Sequence, residues 1–188
     1  MFDKLPLVLD IIPSNTIDDK AGYPIELGVA MNGNGLTFAK LVRPATCWTE
    51  WNEESERLHG CSRQKLITDG EPARKIAKEL NQLFPNQTLY SEHWQRDQRH
   101  LDRLYEVAGI VPQLKVECIK RILNKTQSKA WSSIRRRVLE LTGLSPRRAD
   151  TSALITRSTY LYSLAPQTFE SRFAFKRDSD YQQNMTAA

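Results

Sequence analysis

Two β-rich runs, YPIELGVAM and LTFAKLVRP, flank the tetrapeptide Asn32-Gly33-Asn34-Gly35. Asn-Gly pairs adopt the positive φ angles of a tight hairpin turn at little steric cost, so this stretch predicts two antiparallel strands joined directly. A third apolar run, LPLVLDII, precedes them and ends at Pro13. Three strands in succession need helices to cover them, and the rest of the chain supplies them. EPARKIAKELNQLF places Ile76, Ala77, Leu80, Leu83 and Phe84 at helical spacing between Pro72 and Pro85. QTLYSEHW predicts a fourth strand. RDQRHLDRLYEVAG predicts a helix with Leu101, Leu104, Tyr105 and Ala108 on one face and Gly109 as its stop. LKVECIKRIL fits either a strand or a helix. SSIRRRVLELTG, stopped by Gly143, and ADTSALITRSTYLYSL, with Asp150 near its N-terminus, read as two final helices. The order predicts an α/β domain in which a mixed central sheet is flanked by helices.

The length of 188 residues suits one domain, assigned to residues 1–164. Residues 165–188 are polar and aromatic without a period and read as a loosely ordered tail. No run approaches the roughly 18 apolar residues of a membrane span, and Asp3 and Pro6 interrupt any secretory leader, so a cytoplasmic protein without membrane attachment is expected. Cys47, Cys61 and Cys118 are far apart and outside any CxxC pair, which favours reduced thiols over disulfides or zinc. There is no GxxxxGK and no GxSxG, which removes nucleoside-triphosphate and serine-hydrolase chemistry.

The net charge of +5 is concentrated from Lys115 onward. Arg135, Arg136, Arg137, Arg147 and Arg148 fall in this segment, which reads either as a nucleic-acid surface or as a solvated helix face. Trp48 and Trp51 read as bases' stacking partners or, more simply, as packing. His93, Asp97 and His100 stand at i, i+4 and i+7, a spacing compatible with a transition metal only if one helix spans all three.

Taken in order, LVLDIIPS, YPIELGVAM, RPATCWTEW, LHGCS and YSEHWQRD resemble the DEDD-type 3'-5' exonucleases. The resemblance is closest to a bacterial branch that reads DFEAS, YPIEIGWA, RP…W..W, HGIS and YSD at these places. It covers roughly Leu7 to Ile110 and implies a ribonuclease H-like exonuclease fold. The family's chemistry uses two divalent ions about 4 Å apart, held by carboxylates from separate elements, with a His or Tyr as general base. By that resemblance Asp10 is the first ligand, Asp97 the second, and Asp150 the last, with Mg²⁺ or Mn²⁺ as the cofactor and a single-stranded DNA or RNA 3' end as the substrate. His59 falls in the segment that lies near the substrate path in the family. Two positions depart from the pattern. Ile12 stands where the first strand should supply a glutamate. The general-base His is missing, its place falling on Ser145, or on Arg147 if the gap is shorter, in which case Ser152 takes the Asp position. Two expectations follow: an exonuclease whose activity is weak or lost, or an inactive exonuclease-like module, with no cofactor, that binds nucleic acid or a protein partner.

Overall fold

The computed structural model describes residues 5–18, 22–31 and 37–171. Strands β1 (Leu7–Pro13), β2 (Pro24–Ala30), β3 (Thr37–Leu41), β4 (Thr88–Ser91) and β5 (Lys115–Cys118) form one sheet in the order β3-β2-β1-β4-β5. β1 pairs antiparallel with β2 and parallel with β4, and β4 pairs parallel with β5. The mixed sheet expected from the sequence is therefore present. The Asn-Gly turn lies outside the described residues, but the strands on either side of it pair antiparallel from Ala30↔Thr37 to Glu26↔Leu41.

β1 is central and has helices on both faces, which explains why its sequence is a nearly continuous apolar run rather than an alternating one. Side chains still alternate between faces. Leu9 and Ile11 point with Leu27 and Val29 into the larger core, with Ile76, Ala77 and Leu80 of helix α3 (Ala73–Leu83) and Leu101, Leu104 and Tyr105 of α4 (Trp94–Ala108). Burying each such Leu or Ile stabilises the fold by about 1.5–3 kcal/mol. On the other face, Val8 and Ala30 pack with Trp131 of α5 (Lys125–Thr142) and Ala153 of α6 (Ala149–Leu164).

Two short helices, α1 (Glu53–His59) and α2 (Arg63–Asp69), fill the segment between β3 and α3. The Asn52 and Ser62 side chains accept the backbone N–H groups of Ser55 and Lys65 at their starts. α5 begins at Lys125, seven residues before the helix read from the sequence, because Asn124 and Gln127 close a reciprocal capping box. LKVECIKRIL resolves into β5 followed by one 3-10 turn.

α6 ends at Leu164, where the domain boundary is expected. Residues 166–171 form a further helical turn. Phe169 is buried with its ring 5.7 Å from that of Tyr162, and Glu170 accepts the Tyr162 hydroxyl and pairs with Arg137. The rest of the tail lies outside the described residues. No described helix is long and apolar enough to cross a membrane.

Candidate functional site

Asp10 lies on the α6 face of β1, directly across from Gly28. A Cβ on Gly28 would stand 2.1 Å from the Asp150 nitrogen, so the missing side chain is what allows the start of α6 to lie against the strands. α4 starts just beyond the end of β4, and its first turn brings Asp97 to the same end of β1. Asp97 is fully buried. The Ser91 hydroxyl donates to its Oδ2 at 2.6 Å, and the Ile11 backbone N–H also donates to it.

The group between the two carboxylates is a guanidinium. Arg96 Nη2 is 3.1 Å from Asp10 Oδ1 and 2.9 Å from Asp97 Oδ1, and its Nε donates to the same Asp97 oxygen at 3.0 Å. One planar cation therefore bridges two buried acids that stand 87 positions apart in sequence. Burial, then the charge of Asp97, pushes the Asp10 carboxyl up to about 8, with Arg96 and a hydrogen bond from Ser152 opposing. Burial raises Asp97 to about 6 against the pull of Arg96. Burial and the repulsion between the two acids favour a proton on the pair, and the shared guanidinium opposes this.

A second carboxylate lies on this face of the sheet. Glu26 lies directly across from Ile12 on the same face, and only 2 % of it is exposed. It accepts Arg148 Nε at 2.7 Å and the Ala149 backbone N–H, so it caps α6. Beside the site, Glu92 accepts Trp131 Nε1 at 2.9 Å and pairs with Arg135 at 3.1 Å.

The structure brings Asp10 and Asp97 together through Arg96, and it sets the Asp150 backbone against Gly28, across from Asp10. The Asp150 carboxylate accepts the backbone N–H and the hydroxyl of its neighbour Thr151. Ser152 is the α6 residue that reaches Asp10, which corresponds to the shorter-gap reading with Arg147 at the His position. His59, expected on the substrate path, is buried in the α1–α2 turn. Its Nδ1 accepts the Cys61 N–H and its ring meets Trp51 edge-on. Trp48 is stacked on Tyr23 at 5.2 Å and is core. α4 begins at Trp94, so His93 is its cap and not a helical partner of the buried His100.

Of the arginines, Arg135 and Arg148 hold Glu92 and Glu26, and Arg137 pairs with Glu140 and Glu170. Arg136 and Arg147 are exposed.

The family's metal pair does not fit this site. Ile12 presents an apolar surface where a hard cation needs oxygen, and Arg96 fills the bridging position. Among the described residues no group of three or more His, Cys, Asp or Glu side chains could hold a metal ion. The sequence reading missed Arg96, Glu26 and Glu92. Arg96 is adjacent to a named ligand, but nothing in the sequence signals where its side chain reaches. Glu26 is visible only once the β1–β2 register is known.

No family model and no curated protein sequence matches the chain. Solved structures do. Escherichia coli exonuclease I in complex with an oligonucleotide superposes with a TM-score of 0.64 at 12% identity, covering 91% of this chain and 43% of that one. The structure of exonuclease I described as suggesting how processivity is achieved gives 0.65 at 11% identity, over 92% and 44%. The zinc-bound E. coli exonuclease I–single-stranded DNA complex gives 0.62 at 14% identity, over 92% and 43%. The chain spans less than half the length of these exonuclease I chains, and at such identities the likeness is one of fold. The architecture of this chain is the α/β, ribonuclease H-like exonuclease fold.

Proposed function

We propose that this chain is an exonuclease-fold module that binds single-stranded nucleic acid without hydrolysing it by metal catalysis. The observation that carries the reading is the Arg96 guanidinium set between Asp10 and Asp97. Two-metal hydrolysis needs several carboxylates free to neutralise about four positive charges, and here the two that meet are already bridged by an arginine. Ser145 and Arg147, the positions the resemblance implies for the base, offer no imidazole.

Binding has its own support. Exonuclease I, the fold's counterpart, is described in complex with oligonucleotides. On this chain, Lys125, Lys129 and Arg136 are exposed at helical spacings of 4 and 7, which aligns them along one outer face of α5. At 1.5 Å per residue that stripe runs about 16 Å, long enough to follow several phosphates. Arg135 and Arg148 serve carboxylates of the site and contribute less to such a surface.

End-labelled single-stranded DNA and RNA test the reading with either Mg²⁺, Mn²⁺ or EDTA present. The expected result is retention of intact oligonucleotide, unaffected by EDTA and weakening steeply with salt. Replacing Lys125, Lys129 and Arg136 by Gln should lower the salt slope by about 0.7 for each phosphate that is no longer neutralised. Shortening from the 3' end that depends on Mg²⁺ or Mn²⁺ would contradict the proposal.

A further inference from the structure

We infer that Trp94 is a nucleobase-stacking platform at the mouth of the altered site, which rests on the single-stranded nucleic-acid reading above. The inward stripe of α4 runs through Trp94, Asp97, Leu101, Leu104 and Ala108, the spacing of a core-facing helix. Four of these five are buried. Trp94 stands one turn before Asp97 at the start of α4, just beyond the end of β4 in the chain, and 37 % of it stays exposed. The other tryptophans are better covered: Trp48 is stacked on Tyr23, Trp131 is buried and bonded to Glu92, and Trp51 donates to Glu56.

The surroundings place the indole beside the altered site. His93 precedes Trp94 at the cap of α4. Arg96, two residues after Trp94, reaches Asp10 at 3.1 Å and Asp97 at 2.9 Å. Arg135 pairs at 3.1 Å with Glu92, two residues before Trp94. An exposed indole offers a face on which an unpaired base can stack, and such stacking tolerates any sequence because every base has a π-face. A paired duplex hides its base faces and would gain nothing from the indole.

The test compares fluorescein-labelled oligo(dT) and oligo(U) of one length with a blunt duplex, on the full chain and on Trp94→Ala and Trp94→Phe. The expected result is binding of one or both single strands. Trp94→Ala should weaken it by about 5- to 150-fold at constant salt, and Trp94→Phe should recover most of the loss. Intrinsic fluorescence gives a readout that no folding defect in the alanine variant can mimic: the single strand should quench the unaltered protein and leave Trp94→Phe nearly unquenched. Full affinity in Trp94→Ala, equal quenching in Trp94→Phe, or equal binding of the duplex would overturn the stacking role while leaving nucleic-acid binding in place. No binding of either single strand by the unaltered protein would overturn both. Preference between the DNA and RNA probes identifies which strand the site takes.

Discussion

Arg96→Leu lowers the free energy of unfolding by about 3–5 kcal/mol at pH 8, because it leaves two buried carboxyl groups with no cation between them. The loss should shrink at pH 5. Both folded-state values lie above the ordinary carboxylate value, Asp10 near 8 and Asp97 near 6. In that range the folded state binds more protons than the unfolded one, so the stability these groups contribute is full below about pH 4. It is lost as pH rises through 6 and then 8. Without Arg96 the folded values climb further and the same slope steepens. Urea unfolding at the two pH values checks this, and Asp10→Asn in the unaltered background should flatten the slope by removing the group that titrates last. An equal loss at pH 5 and pH 8 would mean that the guanidinium packs without serving the carboxylates.

Gly28→Ala should be the most damaging small substitution on the sheet. The added Cβ would meet three backbone atoms of Ala149 and Asp150 at 2.1–2.4 Å. No rotamer change relieves a clash with backbone, so β2 and the start of α6 must separate. That movement would strip Glu26 from Arg148 and the Ala149 N–H, and Ser152 from Asp10. A cost beyond the usual 1–3 kcal/mol of overpacking is expected, measurable as a fall in Tm of well over 10 °C or as failure to fold. Near-native stability would show that α6 does not rest on Gly28.

The strands and the helix between Pro72 and Pro85 were legible because each combines one strong period with one strong stop. α1 and α2 were not, since seven residues give only two turns and their segment, rich in Trp, Glu and Arg, shows no apolar stripe. Their caps, Asn52 and Ser62, were present in the sequence without a pattern after them to make them speak. The early start of α5 was hidden in the same way, in a capping box that closes with Gln127 rather than glutamate.

At the site, motif order was enough to bring Asp10 and Asp97 together, because the strand and the helix that carry them were both recognisable. At α6 the sequence leaves two registers open, Asp150 or Ser152, because no His anchors that end of the resemblance. Arg96 was illegible for a different reason. A long side chain one residue from a buried acid can turn outward to water or inward to bridge, and only the position of Asp10 decides which.

In the proposed reading the electrostatics of this site are inverted. Where the exonuclease pattern gathers acids to hold cations, this chain gathers acids and supplies its own cations, Arg96 for Asp10 and Asp97, Arg148 for Glu26, and Arg135 for Glu92. The most direct test is a Mn²⁺ titration of the unaltered protein at pH 7.5, followed by electron paramagnetic resonance of the free ion. With Arg96 holding the bridging position, the free-ion signal should match buffer alone up to millimolar Mn²⁺. Loss of one or two equivalents of free Mn²⁺ per chain, abolished by Asp10→Asn with Asp97→Asn, would show that Arg96 yields its place to metal and would contradict the inverted site.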